Sequence, residues 1–298
     1  MQGETGGSTN QSPPIDRFGP ELTRPPSIPV YETEQASKPT PRVSWKRHGV
    51  GTPGLRSLPE ETAIAIVHDA STTAVMMATP ANLEDFAIGF SLSEGVVDHI
   101  DDIRSIEVVP NDLGVEVRVW LVEGHSQKLS RRRRRLAGPT GCGLCGIESL
   151  AEAVRPIHRL AGSDMAVDAD ALLDAMDSLA QAQSLGRETR AVHAAGFWRA
   201  EGGLVAVRED VGRHNALDKL VGACARDMTT DGVVLLTSRV SVEMVQKAAV
   251  MGVAILCAVS APTALALRTA QAVGMTLVAV ARSDGFEIFC HPERVRLP

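Results

Sequence analysis

Aromatic residues are scarce in this chain, and their scarcity excludes one class of function. They make up 3% of the 298 residues, with a single tyrosine, Tyr31. A surface that binds single-stranded nucleic acid by stacking bases on aromatic rings is therefore not expected. The formal net charge of −6 agrees with this, because nucleic-acid binding needs positive charge. The basic run at residues 131–135 is typical of a solvated loop face, with docking of a cofactor or a partner as the alternative.

Cysteine is sparse, and long apolar runs are lacking. The five cysteines comprise one close pair, Cys142 and Cys145, and three isolated residues, a poor disulfide framework that favours a reducing compartment. The first ten residues lack the basic and apolar segments of a signal peptide, which predicts a cytoplasmic protein. The longest uncharged stretch, residues 248–267, contains Gly252 and Pro262. It therefore predicts a buried strand between helices, and no membrane contact.

Composition and periodicity divide the chain into three parts. Residues 1–42 are rich in proline, glycine and serine, and they predict a disordered tail because they cannot bury enough apolar surface to offset their ordering entropy. Residues 43–140 predict an antiparallel α+β portion, with hairpins at 63–78 and 103–122. A helix between these hairpins is expected to open at Thr79 and Pro80 and to stop at Gly95.

Residues 141–298 alternate short apolar runs with helical periodicity, which predicts βαβ units and a mainly parallel sheet. Four strands are expected, at 204–207, 233–236, 254–259 and 276–280, with helices at 215–226, 242–251 and 263–273. The whole chain is thus predicted to be a layered α/β protein with an antiparallel N-terminal portion.

The ends of the predicted strands suggest a ligand site, because open α/β sheets bind ligands beyond the carboxyl ends of their strands. Arginine follows three of the four strands, represented by Arg213, Arg239 and Arg282. A guanidinium fork suits phosphate. The alternative interpretation is a set of ordinary polar loops.

The cysteine pair is the strongest chemical signal in the chain. Cys142 and Cys145 stand in the segment Gly-Cys-Gly-Leu-Cys-Gly, whose glycines leave the backbone little restricted. Apolar spacing over residues 147–160 predicts a helix directly afterwards, and a thiolate is favoured at a helix N-terminus. Such thiols can carry sulfur by exchange chemistry. A zinc site lacks a second pair of ligands, and a thioredoxin-like dithiol lacks its usual strand context, yet both stay open at this point.

Several motifs in a fixed order make the chain resemble the formate dehydrogenase accessory sulfurtransferase family, FdhD. The resemblance covers residues 43–298 and excludes the proline-rich tail. The matching segments are 79–95, 141–146, 192–196 (Val-His-Ala-Ala-Gly), 208–219 (Arg-Glu-Asp-Val-Gly-Arg-His-Asn-Ala-Leu-Asp-Lys), 238–247 and 260–263.

The resemblance implies a sulfur relay. A cysteine desulfurase would load a persulfide on Cys142, with Cys145 assisting, and the sulfur would pass to a molybdenum bis(molybdopterin guanine dinucleotide) cofactor required by formate dehydrogenase. The family's cofactor-binding stretch corresponds to Val280, Ala281, Arg282, Ser283, Asp284 and Gly285. Small apolar residues at the first two of these positions depart from some relatives. The resemblance also implies a homodimer.

The family is placed in the cytidine deaminase-like superfamily, so deamination has to be considered. His193 stands in His-Ala-Ala, where deaminases need His-x-Glu, and the cysteine pair precedes it. No catalytic metal is therefore expected. His193 is either a cofactor contact or a buried histidine, and His214 is either a cofactor contact or part of a helix start. Arg239 is a further candidate contact. A cofactor chaperone that turns over no sulfur, and a dithiol redox protein, are the alternative functions.

Overall fold

A computed structural model describes residues 36–123, 159–160, 164–226 and 230–298. Cys142, Cys145, the basic run and nearly all of the helix predicted at 147–160 lie outside the described residues. So does the predicted boundary between residues 140 and 141. Within the described part of the chain, no helix is long and apolar enough to cross a membrane.

The first described elements are β1 (Ser37–Ser44) and β2 (Thr52–Pro59), which form a two-stranded antiparallel ribbon. The prediction that the tail extends to residue 42 is therefore wrong for residues 37–42. The proline content of this segment predicts disorder. Pro39 and Pro41 are tolerated because a two-stranded ribbon consists only of edge strands, where a missing N–H need not interrupt a ladder.

A four-stranded sheet follows, in the order β4-β3-β6-β5. Its strands are β3 (Thr62–His68), β4 (Ser71–Ala78), β5 (Ile103–Asn111) and β6 (Gly114–Leu121). Both predicted hairpins are confirmed, and β3 and β6 join them by parallel pairing. Helix α1 (Leu83–Ser93) covers this sheet with Phe86, Ala87 and Phe90. It begins later than predicted, because Thr79 is engaged in buried hydrogen bonds before the helix.

The second half is built on a six-stranded sheet in the order β13-β12-β11-β10-β8-β9. Its strands are β8 (His193–Arg199), β9 (Gly203–Asp210), β10 (Val233–Leu236), β11 (Ile255–Ala258), β12 (Thr276–Arg282) and β13 (Gly285–Cys290). The pair β7 (Val167–Asp168) and β14 (Val295–Arg296) lies apart from it.

The prediction of a mainly parallel sheet is wrong. Only β10–β11 and β11–β12 pair in parallel, whereas β8 and β13 add antiparallel neighbours. Neither β8 nor β13 was predicted as a strand. Each is joined to its neighbour, β9 or β12, by a tight hairpin.

Helices cover both faces of the six-stranded sheet and make the molecule layered. On one face lie α4 (Arg213–Cys224), α5 (Val242–Val250) and α6 (Ala264–Val273), and on the other lies α2 (Ala169–Ala182). A short α3 (Ser184–Thr189) follows α2. The α6 prediction is confirmed: the Thr263 side chain accepts a hydrogen bond from Ala266 N, and Gly274 ends the helix at φ 81°. The layered α/β class is thus confirmed.

Helices α1 and α4 join the two halves by crossing at two glycines. A Cβ at Gly89 would lie 1.7 Å from the carbonyl oxygen of Asp218, and one at Gly222 would lie 1.9 Å from that of Asp85. Only glycine allows the two backbones to approach this closely. Both glycines fall within predicted helices, and the sequence does not reveal this close approach.

Candidate functional site

Each of the six strands has one end at the same edge of the six-stranded sheet. Strands β9 to β12 run in the same direction, and β8 runs against them. The carboxyl ends of those four strands therefore lie beside the start of β8. Four strand spacings separate β12 from β9, a span of about 19 Å. We call this the strand-end edge.

The predicted cofactor stretch is the hairpin at one end of this edge. Val280, Ala281 and Arg282 finish β12, Ser283 and Asp284 form the turn, and Gly285 begins β13. The strand register shifts between Ala279 and Arg282, as in a β-bulge.

The bulge places a strained residue inside the predicted stretch. Val280 has φ 55°, a left-handed conformation that is unusual for a β-branched residue. Strain of this kind costs about 1–3 kcal/mol and is concentrated at functional sites. It is compatible with a ligand-binding role for this hairpin.

Arg282 ties the hairpin to the neighbouring strand. Its Nη1 donates hydrogen bonds to the carbonyl oxygens of Val259 and, at 2.8 Å, Ala281. The rest of the hairpin turn is exposed, as is the Arg282 side chain itself. A cationic group thus lies in solvent where β11 and β12 end.

The loops after β10 and β11 run side by side in the middle of the edge. Val240 pairs with Pro262 in a parallel bridge, and Thr263 N donates to Val240 O at 2.9 Å. Arg239 is exposed in the first of these loops. The loops lead into α5 and α6, whose N-termini favour negative charge.

His193 lies at the start of β8, paired in register with Asp210. Burial and then the nearby Arg213 guanidinium lower the pKa of His193, against the opposing effect of Asp210. The next residue along, Ala194, donates from its backbone N to Thr237 Oγ1 at 2.8 Å. His193 is therefore a half-buried side chain at the strand-end edge, and its surroundings favour the neutral imidazole.

His214 is the second residue of helix α4, which carries the matching segment 208–219 at its start. Burial lowers its pKa to about 4, with further lowering by Arg213 and Lys247 and opposition from Glu243 and Glu94. Its Nε2 is buried and has no hydrogen-bond partner among the described residues. The imidazole is thus neutral at physiological pH with an unused hydrogen-bonding atom.

A buried ion pair lies directly beneath the start of α4. Lys219 Nζ is 2.6 Å from Asp210 Oδ2, both side chains are 0% exposed, and Nζ also donates to Thr79 O at 2.8 Å. Asp210 accepts from Thr79 N, Gly212 N and Asn215 Nδ2 as well. This cluster holds the N-terminus of α4 in place, and it explains several motif residues whose role the sequence did not reveal.

A second buried cluster links α1, α4 and α5. Lys247 Nζ contacts both Asp218 oxygens at 2.8 and 2.9 Å, Ser93 Oγ at 2.9 Å and Glu94 Oε1 at 3.0 Å. The Asp218 and Glu94 carboxylates together raise the pKa of Lys247 despite its burial. Ser93, Glu94 and Lys247, which lie in the motif segments 79–95 and 238–247, thus hold the three helices together.

The three described cysteines are poor candidates for sulfur chemistry. Cys224, Cys257 and Cys290 are all buried. Burial raises the pKa of the Cys257 thiol to about 12 and also raises that of Cys290. A thiol must ionise to act as a nucleophile, so buried thiols of this kind are inert.

The structure therefore places the predicted contacts on one edge, from the 280–285 hairpin through Arg239 to His193 and His214. It does not describe Cys142 or Cys145. It adds Arg213 and Ser241, whose Nε and Oγ are buried without a hydrogen-bond partner among the described residues. In the described part of the chain, no cluster of three or more His, Cys, Asp or Glu side chains has the arrangement of a metal site.

Comparison with known proteins gives a family. The model of the FdhD/NarQ family matches residues 59–296. A protein of Agrobacterium fabrum named sulfur carrier protein FdhD is 51% identical over 253 residues, which cover 84% of this chain and 93% of that one. A protein of the same name from Brucella abortus is 51% identical over 242 residues, covering 80% and 90%.

A solved structure supports the same family. A crystal structure from Desulfotalea psychrophila, described as a formate dehydrogenase accessory protein, matches with a TM-score of 0.72 at 26% identity. It covers 88% of this chain and 100% of that one. The chain therefore belongs to the FdhD/NarQ family, and the resemblance identified from its motifs is confirmed.

Proposed function

We propose that this protein carries sulfur as a persulfide on Cys142 and delivers it to a molybdenum bis(molybdopterin guanine dinucleotide) cofactor, its substrate, for use by formate dehydrogenase. The single observation that carries the assignment is the state of the other thiols. Cys224, Cys257 and Cys290 are all buried. The chain has five cysteines, so the sulfur chemistry falls to Cys142 and Cys145. The names of the relatives, sulfur carrier proteins, support the same class of function.

Loading follows thiol exchange. The Cys142 thiolate attacks the terminal sulfur of a persulfide on a cysteine desulfurase. The sulfur–sulfur bond of the donor breaks, the donor cysteine leaves as a thiolate, and Cys142 becomes the persulfide. No external oxidant is needed, since the transferred sulfur changes partner without a change in total oxidation state.

Delivery as sulfide needs two electrons, which the pair itself can supply. The Cys145 thiolate attacks the inner sulfur of the Cys142 persulfide, forming a Cys142–Cys145 disulfide and releasing hydrosulfide. A cellular dithiol reductant would then reduce the disulfide for another cycle. This assigns the carrier role to Cys142 and the release role to Cys145.

The strand-end edge suits the anionic cofactor. Arg239 and Arg282 are exposed along it, and guanidinium groups bind diphosphates well. Arg213, His214 and Ser241 have buried polar atoms that lack a hydrogen-bond partner in the described part of the chain, and these atoms provide places for polar groups of a ligand. A span of about 19 Å between β12 and β9 is long enough for an extended dinucleotide. We assign cofactor contacts to the 280–285 hairpin, Arg239, His193 and His214, in a cytoplasmic homodimer.

Mass spectrometry of the full chain tests the proposal. After incubation with a cysteine desulfurase and cysteine, the peptide carrying Cys142 should gain one sulfur, about 32 Da, as in a persulfide. Cys142→Ala should abolish this gain, and Cys224→Ala is the matched control that should retain it. Cys145→Ala should load sulfur normally but release little sulfide.

Two outcomes would contradict the proposal. One is the absence of added sulfur on both Cys142 and Cys145. The other is full support of formate dehydrogenase activity by Cys142→Ala, which would indicate a cofactor chaperone that turns over no sulfur.

A further inference from the structure

The ribbon of β1 and β2 exposes an apolar face. Side chains of directly paired residues lie on the same side of a two-stranded sheet. One side of the ribbon therefore carries the pairs Pro39–Ser57, Pro41–Leu55 and Val43–Pro53. Val43 is 70% exposed, Leu55 is 67% exposed, and Trp45, just beyond β1, is 68% exposed. Single exposed apolar residues are common, but a contiguous set of this kind indicates a surface that binds another molecule.

The backbone edges of the ribbon are unsuited to binding. A β-strand that added to either edge would need backbone N–H groups there as hydrogen-bond donors. Proline has no N–H, and Pro39 and Pro41 lie in β1 while Pro53 and Pro59 lie in β2. Addition of a further strand is therefore unfavourable, and a partner has to bind the side chains of the apolar face.

The charged residues of the ribbon are all basic. Residues 37–59 contain no Asp or Glu, and their five Lys and Arg residues are Lys38, Arg42, Lys46, Arg47 and Arg56. The whole chain has a net charge of −6, so the ribbon is opposite in sign to the rest of the molecule. Two ribbons packed face to face would bring the cations of both copies together, which disfavours a second copy of this chain as the partner. The partner that fits has an apolar patch with acidic surroundings.

The base of the ribbon is fixed beside the strand-end edge. Arg56 Nη2 donates a hydrogen bond at 3.1 Å to the carbonyl oxygen of Thr189, the last residue of α3. The other end of α3 is tied to β9, because Leu185 N and Gly186 N donate to the Glu209 carboxylate at 2.9 and 2.7 Å. Glu209 is the last residue but one of β9, which ends at the strand-end edge. The ribbon therefore lies next to the edge to which the proposed function assigns the cofactor.

We propose that the apolar face of the ribbon, together with Trp45, binds the formate dehydrogenase that receives the cofactor. The enzyme is expected to contribute an apolar patch with acidic surroundings. The inference rests on the proposed function, since a cofactor held at the strand-end edge requires its acceptor to approach from that side. Tryptophan is among the side chains that contribute most to protein–protein affinity, and the surrounding cations accelerate the encounter with an acidic surface.

Binding of the full-length protein to purified, cofactor-free formate dehydrogenase from the same organism tests the proposal. Biolayer interferometry should show at least about tenfold weaker binding for Trp45→Ser, the loss expected for a central aromatic contact. Leu113→Ser is the matched control, because Leu113 is an 81% exposed apolar residue in the turn between β5 and β6. It should bind the enzyme like the wild type.

Charge reversal at the tip of the ribbon tests the acidic surroundings. The double variant Lys46→Glu and Arg47→Glu should bind more weakly at low ionic strength. Its binding should also change less when salt is added, because salt screens the attraction between exposed charges. Both ribbon variants should form persulfide on Cys142 and melt like the wild type, since the substituted residues are exposed.

Three results would overturn the proposal. The wild type does not bind the cofactor-free enzyme, or Trp45→Ser binds it as tightly as Leu113→Ser does. The third is a lower molar mass of Trp45→Ser in light scattering without the enzyme, because the apolar face would then belong to an interface between two copies of this chain.

The docking surface and the sulfur chemistry can fail separately. Absence of persulfide on Cys142, with enzyme binding that still depends on Trp45, would refute the sulfur chemistry and leave the docking surface standing. Normal persulfide formation with binding that is independent of Trp45 would do the reverse.

Discussion

The buried pair of Asp210 and Lys219 allows a quantitative test of how the site is held together. Both side chains are 0% exposed and their charged atoms are 2.6 Å apart. Asp210→Asn leaves the Lys219 ammonium without its counter-ion. Neutralising a lysine of ordinary pKa at pH 7 costs about 4.6 kcal/mol, which is the ceiling for this variant. Loss of one member of a buried pair usually costs about 3–5 kcal/mol.

Replacing Lys219 should lower the free energy of unfolding less than replacing Asp210. In Lys219→Met, Asp210 keeps the N–H groups of Thr79, Gly212 and Asn215 as donors. We expect a loss of about 2–3 kcal/mol there, because hydrogen bonds to a charged group are worth about 1.5–3 kcal/mol each. The double variant should be less destabilised than the two losses added together, by about 2 kcal/mol, since both single variants break the same interaction.

Urea unfolding of the wild type and the three variants at pH 7 measures this cycle. A loss of about 4 kcal/mol corresponds to a fall of about 8–16 °C in the melting temperature. The reasoning is refuted if the two single losses simply add, within about 0.5 kcal/mol, because the pair would then be uncoupled. It is also refuted if Asp210→Asn costs less than about 1 kcal/mol.

Two further predictions concern other parts of the fold. The His214 pKa is about 4 in the folded protein, whereas its ordinary value is 6.5. Between these two pH values the unfolded chain binds a proton at His214 that the folded chain does not. The free energy of unfolding should therefore fall by up to about 3 kcal/mol as the pH drops through this window. Urea unfolding across pH 7.5–4.5 should show a shallower fall for His214→Asn, and an unchanged slope would contradict this. Gly89→Ala should destabilise the protein by about 3 kcal/mol or more, since its Cβ would lie 1.7 Å from Asp218 O. The control is Gly54→Ala on the exposed ribbon, whose stability should stay within about 0.5 kcal/mol of the wild type. Equal melting temperatures for the two alanine variants would disprove the close crossing of α1 and α4.

Signals between residues that are close in the sequence determined the two N-terminal hairpins and helix α6. Apolar runs at 63–78 and 103–122 defined both hairpins, and Pro262 at the start with Gly274 at the end defined α6. The ordered motifs, from residues 79–95 through the cysteine pair to residues 260–263, were enough to identify the family. These signals succeed because they act between residues a few positions apart.

Tertiary structure alone decided how the elements meet. Strands β8 and β13 pair antiparallel with their hairpin partners, and pairing direction depends on which strands become neighbours in space. Likewise, Asp210 and Lys219 are recognisable as a motif in the sequence, but their burial against Thr79 results from the packing of α1 on α4. Arg213, His214 and Ser241 each have a buried polar atom without a hydrogen-bond partner among the described residues, and this too is visible only in the tertiary structure.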